Sequence, residues 1–230
     1  AGVRPASDFD PAHCTGGNCA RRADYLTAAT DLLIDDLTWM AAQWTLDGAA
    51  RVGLLADADG ALLALITGMG SLAYGELAGE RMQLGLLLHD PEEEHDCFSD
   101  NTHASHYYDA LGIRNVYTGA YALVGGGSVS GPSLSDLVRA ADPALDIELN
   151  AKLDDTMAAM AAMVARAEGG EAYDQMIGEG NKAGNATVQA AINALISQTR
   201  SVERIIVALG IDAIAFEGSD SLDNQNAVFE

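Results

Sequence analysis

Seven positions, Val188, Ile192, Leu195, Thr199, Val202, Ile206 and Leu209, step by four and three without a break. That spacing lays a single narrow stripe along one face of a helix. Gly210 follows it as a C-terminal cap. Three other stretches repeat the pattern. Leu26, Thr30, Leu33, Leu37, Met40 and Trp44 share a face over 21–44, with Asp24, Asp31, Asp35 and Asp36 mostly opposite. Leu62, Ile66, Met69, Ala73 and Leu77 mark a helix over 61–88, and Leu149, Leu153, Met157, Met160 and Val164 one over 146–167. No alternating strand pattern is visible. Four amphipathic helices with narrow stripes predict an all-α, antiparallel four-helix bundle.

The second helix carries Gly68, Gly70, Gly75, Gly79 and Gly85. Each interior glycine costs a helix about 0.5–1 kcal/mol relative to alanine. Five together predict either close approach by another backbone or a break near Gly68 or Gly75. Shorter helices are expected within 107–127, over 133–141 and over 171–177. Ser133, with Asp136 three residues on, has the spacing of a capping box. Residues 1–20 read as an irregular lead-in, 21–213 as the helical domain and 214–230 as a polar tail.

The chain carries 34 acidic and 12 basic residues, a net charge of −22. Phosphate recognition needs clustered Lys and Arg, so a nucleic-acid partner is not expected. The acidity serves solubility or concentrates cations. No run of 18 apolar residues is present, so no transmembrane segment is expected. Cys14 and Cys19, in C-T-G-G-N-C, are placed to close a small disulfide loop, which points to an oxidising compartment. Two free thiols or a thiolate metal site are the alternatives.

Most of the chemistry lies between His89 and His106, in H-D-P-E-E-E-H-D-C-F-S-D-N-T-H-A-S-H. Imidazole and carboxylate ligands suit iron, zinc, copper or manganese. An equally simple reading is an acidic loop whose Asp, Asn and Ser side chains hold turns together. No spacing places a nucleophile beside a base. Phe98 is expected to pack under the loop.

Several segments in order resemble the imelysin family: G-E-L-A-G-E-R-M (Gly75 to Met82), E-H-D-C-F-S-D-N-T-H (Glu94 to His103) and G-I-R-N-V-Y-T-G (Gly112 to Gly119). R-P-A-S-D-F (Arg4 to Phe9), C-T-G-G-N-C-A-R-R (Cys14 to Arg22), Y-D-Q-M-I (Tyr173 to Ile177) and V-E-R-I-I-V-A-L-G (Val202 to Gly210) extend the likeness toward the iron-regulated protein A branch. The resemblance implies an all-α protein of helical bundles, periplasmic or outer-membrane-associated, secreted by a signal peptide, and involved in iron acquisition through metal or iron-complex binding. Iron is the expected metal, with zinc or copper as alternatives. The family's name also implies a possible metallopeptidase, and the acidic loop a surface interaction module. The family's G-x-H-x-x-E motif is absent; Leu87-Leu88-His89-Asp90-Pro91-Glu92 lacks the glycine. The chain therefore resembles a C-terminal half, with the N-terminal half of the same precursor, or a dimer partner, as the expected neighbour. The resemblance places Glu80, Arg81, His95, Ser99, Asp100, Asn101, Thr102 and His103 at one wall of a cleft.

Overall fold

The computed structural model describes residues 5–211 and 215–229, which divide between two compact units, 1–61 and 62–230. Arg4 of the R-P-A-S-D-F motif and the expected 213/214 boundary lie outside the described residues.

The first unit holds a 3-10 turn (Ala6–Phe9), α1 (Cys19–Gln43) and α2 (Ala49–Ala56). A disulfide joins Cys14 to Cys19, with Cα atoms 5.6 Å apart. Arg22 ties the lead-in to the helix, donating to the carbonyls of Asp8, Thr15 and Gly17. The expected 21–44 helix is therefore present. Within this unit its stripe is not packed away: no residue of α1 is buried, and Leu26, Leu33, Leu37, Met40 and Trp44 are all exposed.

The core lies in the second unit. It is built from α3 (Ala58–Ser71), which begins in the first unit, a π-helical segment (Leu72–Gln83), α4 (Leu84–Leu88), α5 (Thr102–Thr118), α6 (Leu134–Ala141), α7 (Pro143–Glu168), α8 (Tyr173–Ile177) and α9 (Lys182–Ala208). The four helices that share the bundle core are thus α3 with its π continuation, α5, α7 and α9; α1 is not among them. Val188, Ile192, Leu195, Thr199, Val202 and Ile206 are buried along α9, as the stripe requires. They face Leu149, Leu153 and Met160 of α7 within one apolar cluster. Each fully buried aliphatic side chain contributes about 1.5–3 kcal/mol.

Local chemistry fixes the ends. Ser133 and Asp136 form the capping box: Ser133 Oγ accepts from the Asp136 amide, and Asp136 Oδ2 accepts from the Ser133 amide. Asp142 caps α7 by accepting from the amides of Ala144 and Leu145, with Pro143 at the first helical position. Gly210, at φ +67°, closes α9 in the left-handed conformation.

Three features depart from expectation. A hairpin of β1 (Ala120–Ala122) and β2 (Ser128–Ser130) follows α5, with Tyr121 opposite Val129. Strands of three residues are too short to show a period. The helix through the glycines does not break; it changes register, because from Leu72 its backbone bonds run to the fifth residue. By length and composition, Ala58–Leu88 could also cross a membrane. Within the second unit its apolar face belongs to the core, with Ile66, Ala73, Leu77 and Met82 fully buried.

The close approach predicted from the glycines is real. A Cβ on Gly70 would fall 2.4 Å from the Phe216 ring, on Gly75 2.5 Å from the Glu217 carbonyl oxygen, and on Gly79 2.3 Å from Ser219 Cβ. Residues 216–223, ending in α10 (Asp220–Asp223), run along this face.

Candidate functional site

Arg81, His95, Asp96, Asn101, Ala104, Ser105, Tyr108 and Asp109 line an open cleft of about 470 Å³ in the second unit. The π segment supplies Arg81, the loop before α5 supplies His95, Asp96 and Asn101, and the first turns of α5 supply the rest. Arg81 is the positive centre. Its Nε donates to Glu76 Oε1 at 2.9 Å and its Nη1 to Asp109 Oδ2 at 2.9 Å. Asp96 accepts from the Ser105 hydroxyl. Burial pushes the Asp109 carboxyl up, against the pull of Arg81. The wall thus offers one guanidinium, two carboxylates, Asp96 and Asp109, and an exposed imidazole, His95, with Glu76 holding the guanidinium from outside the lining.

Behind this wall lies a buried layer. His106 is fully buried, and neither ring nitrogen has a hydrogen-bond partner among the described residues. Its ring lies 6.4 Å from that of His95 and 4.9 Å from that of Tyr173. Burial, reinforced by the charges of His95, Arg81 and His103, pulls the His106 imidazole down to about 3. It is therefore a neutral ring at physiological pH. Thr102, also buried, donates to Glu94 Oε2 at 3.1 Å and accepts from the Asp96 amide at 3.1 Å. This bond anchors the loop to the start of α5. Burial raises the Glu94 carboxyl, outweighing the Thr102 hydroxyl.

The sequence-predicted residues divide into groups. Arg81, His95 and Asn101 line the cleft. Thr102 and His103 do not line it, and His103 Nδ1 is buried without a partner among the described residues. Ser99 and Asp100 form the turn: both amides bond to the Asp96 carbonyl, and Asp100 adopts φ +57°. Glu80 points elsewhere, accepting from Ser219 Oγ at 2.6 Å. Phe98, expected under the loop, is 79% exposed. His89 Nδ1 pairs with the Ile177 carbonyl at 2.7 Å, a helix-ending role. Sequence reading missed Glu76, Asp109 and His106. For His106 a signal existed, since Thr102, His106, Ala110, Ile113 and Tyr117 recur at helical spacing and are all buried.

Comparison with protein families decides the relationship: the imelysin family model matches residues 1–202. The chain belongs to the imelysin family. No match was found among curated proteins. The match covers the first unit of this imelysin and most of the second, including the whole cleft, and stops within α9 before the segment that lies on the glycine face. For a metal, the donor set fits in part. His95 offers an open imidazole and Asp96 a carboxylate beside it. Among the described residues, no group of three or more His, Cys, Asp and Glu is placed to hold a metal ion.

Proposed function

We propose that this imelysin is an extracytoplasmic bacterial binding protein for a metal ion or iron complex, acting in iron acquisition, and closest to the iron-regulated protein A branch. The observation that carries the reading is the wall formed by His95, Asp96, Arg81 and Asp109. Imidazole and carboxylate donors suit iron, zinc or copper, and the guanidinium suits an anionic ligand of a metal complex. The wall supplies part of a coordination shell. The remaining donors come from the N-terminal half of a longer precursor. Within the first unit the apolar stripe of α1 is left unburied, and such a neighbour would give it a surface to bury against. A dimer partner is the alternative occupant. The Cys14–Cys19 disulfide supports a periplasmic or outer-membrane-associated setting.

The test is metal content by mass spectrometry after equilibrium dialysis against iron, copper and zinc. Residues 1–230 are compared with the precursor, and each with its His95→Ala variant. Metal bound by the precursor and weakened by His95→Ala supports the reading. Unchanged metal binding in the variant removes this wall from the site. Binding of a basic protein that needs no metal and weakens steeply with salt would favour an acidic interaction surface instead. Chelator-sensitive cleavage of a protein substrate would favour a metallopeptidase.

A further inference from the structure

The cleft and the C-terminal segment touch the same π-helical turn from different sides. Residues 216–223 contact it through Tyr74, Gly75, Gly79 and Glu80, and contact the end of α3 through Gly70 and Ser71. The Glu217 amide donates to Ser71 Oγ at 3.0 Å, and Tyr74 donates to Asp223 at 2.6 Å. Ser219 donates to Glu80 at 2.6 Å, and Ser221 Oγ to the Gly79 carbonyl at 2.9 Å. Ser219 and Ser221 are buried, so the Ser221 bond forms away from water and the Ser219 bond is partly shielded. The next residue after Glu80 is Arg81, the cation of the cleft.

Register connects the two sides. Tyr74 and Gly79, Gly75 and Glu80, and Glu76 and Arg81 are each five residues apart. In an α-helix a five-residue step turns about 140°, which would separate each pair onto different faces. In the π register the five-residue step returns to the same side, as it does for the backbone bond itself. The first two pairs lie under the C-terminal segment. The third is the Glu76–Arg81 bond that aims the guanidinium. The Gly79 carbonyl marks the register directly, because it accepts both the Leu84 amide, five residues on, and the Ser221 hydroxyl.

We infer that residues 216–223 act as a strap that holds Leu72–Gln83 in the π register and thereby positions Arg81 in the cleft. No residue of the strap is among the described residues that line the cleft; it acts through the helix. Its seat is cut by the glycines, whose missing side chains admit its backbone. The inference stands on this geometry whatever the cleft binds.

The experiment is Gly79→Ala in the full chain. Its new methyl would meet Ser219 Cβ at 2.3 Å. Three readouts are followed: protease sensitivity of the tail, hydrogen exchange of the Leu84 amide, and the Arg81 Nε–H resonance. The expected result is a released tail, Leu84 exchange faster by about tenfold or more, and a shifted Arg81 resonance. A merely stabilising strap would move the urea midpoint and leave Arg81 where it is. A tail that stays seated, or a released tail with Leu84 and Arg81 unchanged, overturns the inference. Should Gly79→Ala fail to fold, Ser219→Ala and Ser221→Ala combined with Tyr74→Phe removes the bonds to Glu80, to the Gly79 carbonyl and to Asp223 without adding bulk, and is judged by the same two outcomes.

Discussion

The ring of His106 stands edge-on to that of Tyr173, with centroids 4.9 Å apart and planes at 87°. This contact and shape, rather than hydrogen bonding, hold the imidazole in the core. Tyr173 responds to the same burial, and its phenol is raised far above the ordinary range.

His106 therefore makes the fold acid-sensitive. Unfolded, its imidazole takes up a proton near 6.5; folded, it resists until about 3. The unfolded chain binds more protons between those values. The contribution of His106 is thus complete above pH 6.5 and is lost as the pH falls, by about 1.4 kcal/mol per unit. His106→Leu, apolar and of similar size, removes that loss. Urea unfolding at pH 7, 6 and 5 checks it: wild type is expected to weaken faster than the variant. Parallel curves would mean that the buried ring does not govern the acid response.

Asp146 is the most heavily used carboxylate of the core. Its Oδ1 accepts from Tyr117 at 2.8 Å, from Ser135 at 2.6 Å and from Asn150 at 3.0 Å, joining α5, α6 and α7. Asp146→Ala strands the Tyr117 and Ser135 hydroxyls in the interior and is expected to cost about 3–5 kcal/mol. Tyr117→Phe removes one donor and leaves the acceptor served, so about 1 kcal/mol is expected. Chemical denaturation of both variants measures the order; equal losses would contradict it.

Glu94 has the opposite linkage to His106. Burial raises its carboxyl, so the folded state holds the proton more tightly than the unfolded one. Its contribution is present in acid and is lost as the pH rises through its titration. Glu94→Gln keeps an oxygen for Thr102 and abolishes the charge. The variant is expected to be more stable than wild type at pH 7, with the advantage gone below pH 4. Thermal unfolding at both pH values tests this, and a destabilised variant at pH 7 would show that the ionised carboxylate is needed.

Fold class was legible because the stripe of α9 is buried from Val188 to Ile206 and that of α7 at Leu149, Leu153 and Met160, although Met163 rather than Val164 fills the core at the end of α7, and Ser133 with Asp136 caps as its spacing says. The period of α1 was equally legible, but a period names a face and not its cover. The π register was not readable, since it depends on residues 216–223, more than a hundred positions away. In the candidate site, Arg81, His95 and Asn101 reached the cleft, whereas Ser99 and Asp100 are engaged in a turn. Asp, Asn and Ser hold turns with the same atoms that serve ligands, so residue type alone could not separate the two uses. His106 was readable, had the stripe of α5 been followed back to Thr102.

The twelve-residue π segment also has a meaning for descent. A wider turn consumes more residues per unit length, so one residue more or less between Leu72 and Gln83 changes which side chains share a side. A relative whose alignment shows a single-residue gap there would keep its helix and its core, yet lose the pairing of Glu76 with Arg81. Such a gap would undo the pairing as surely as a substitution at Arg81 itself.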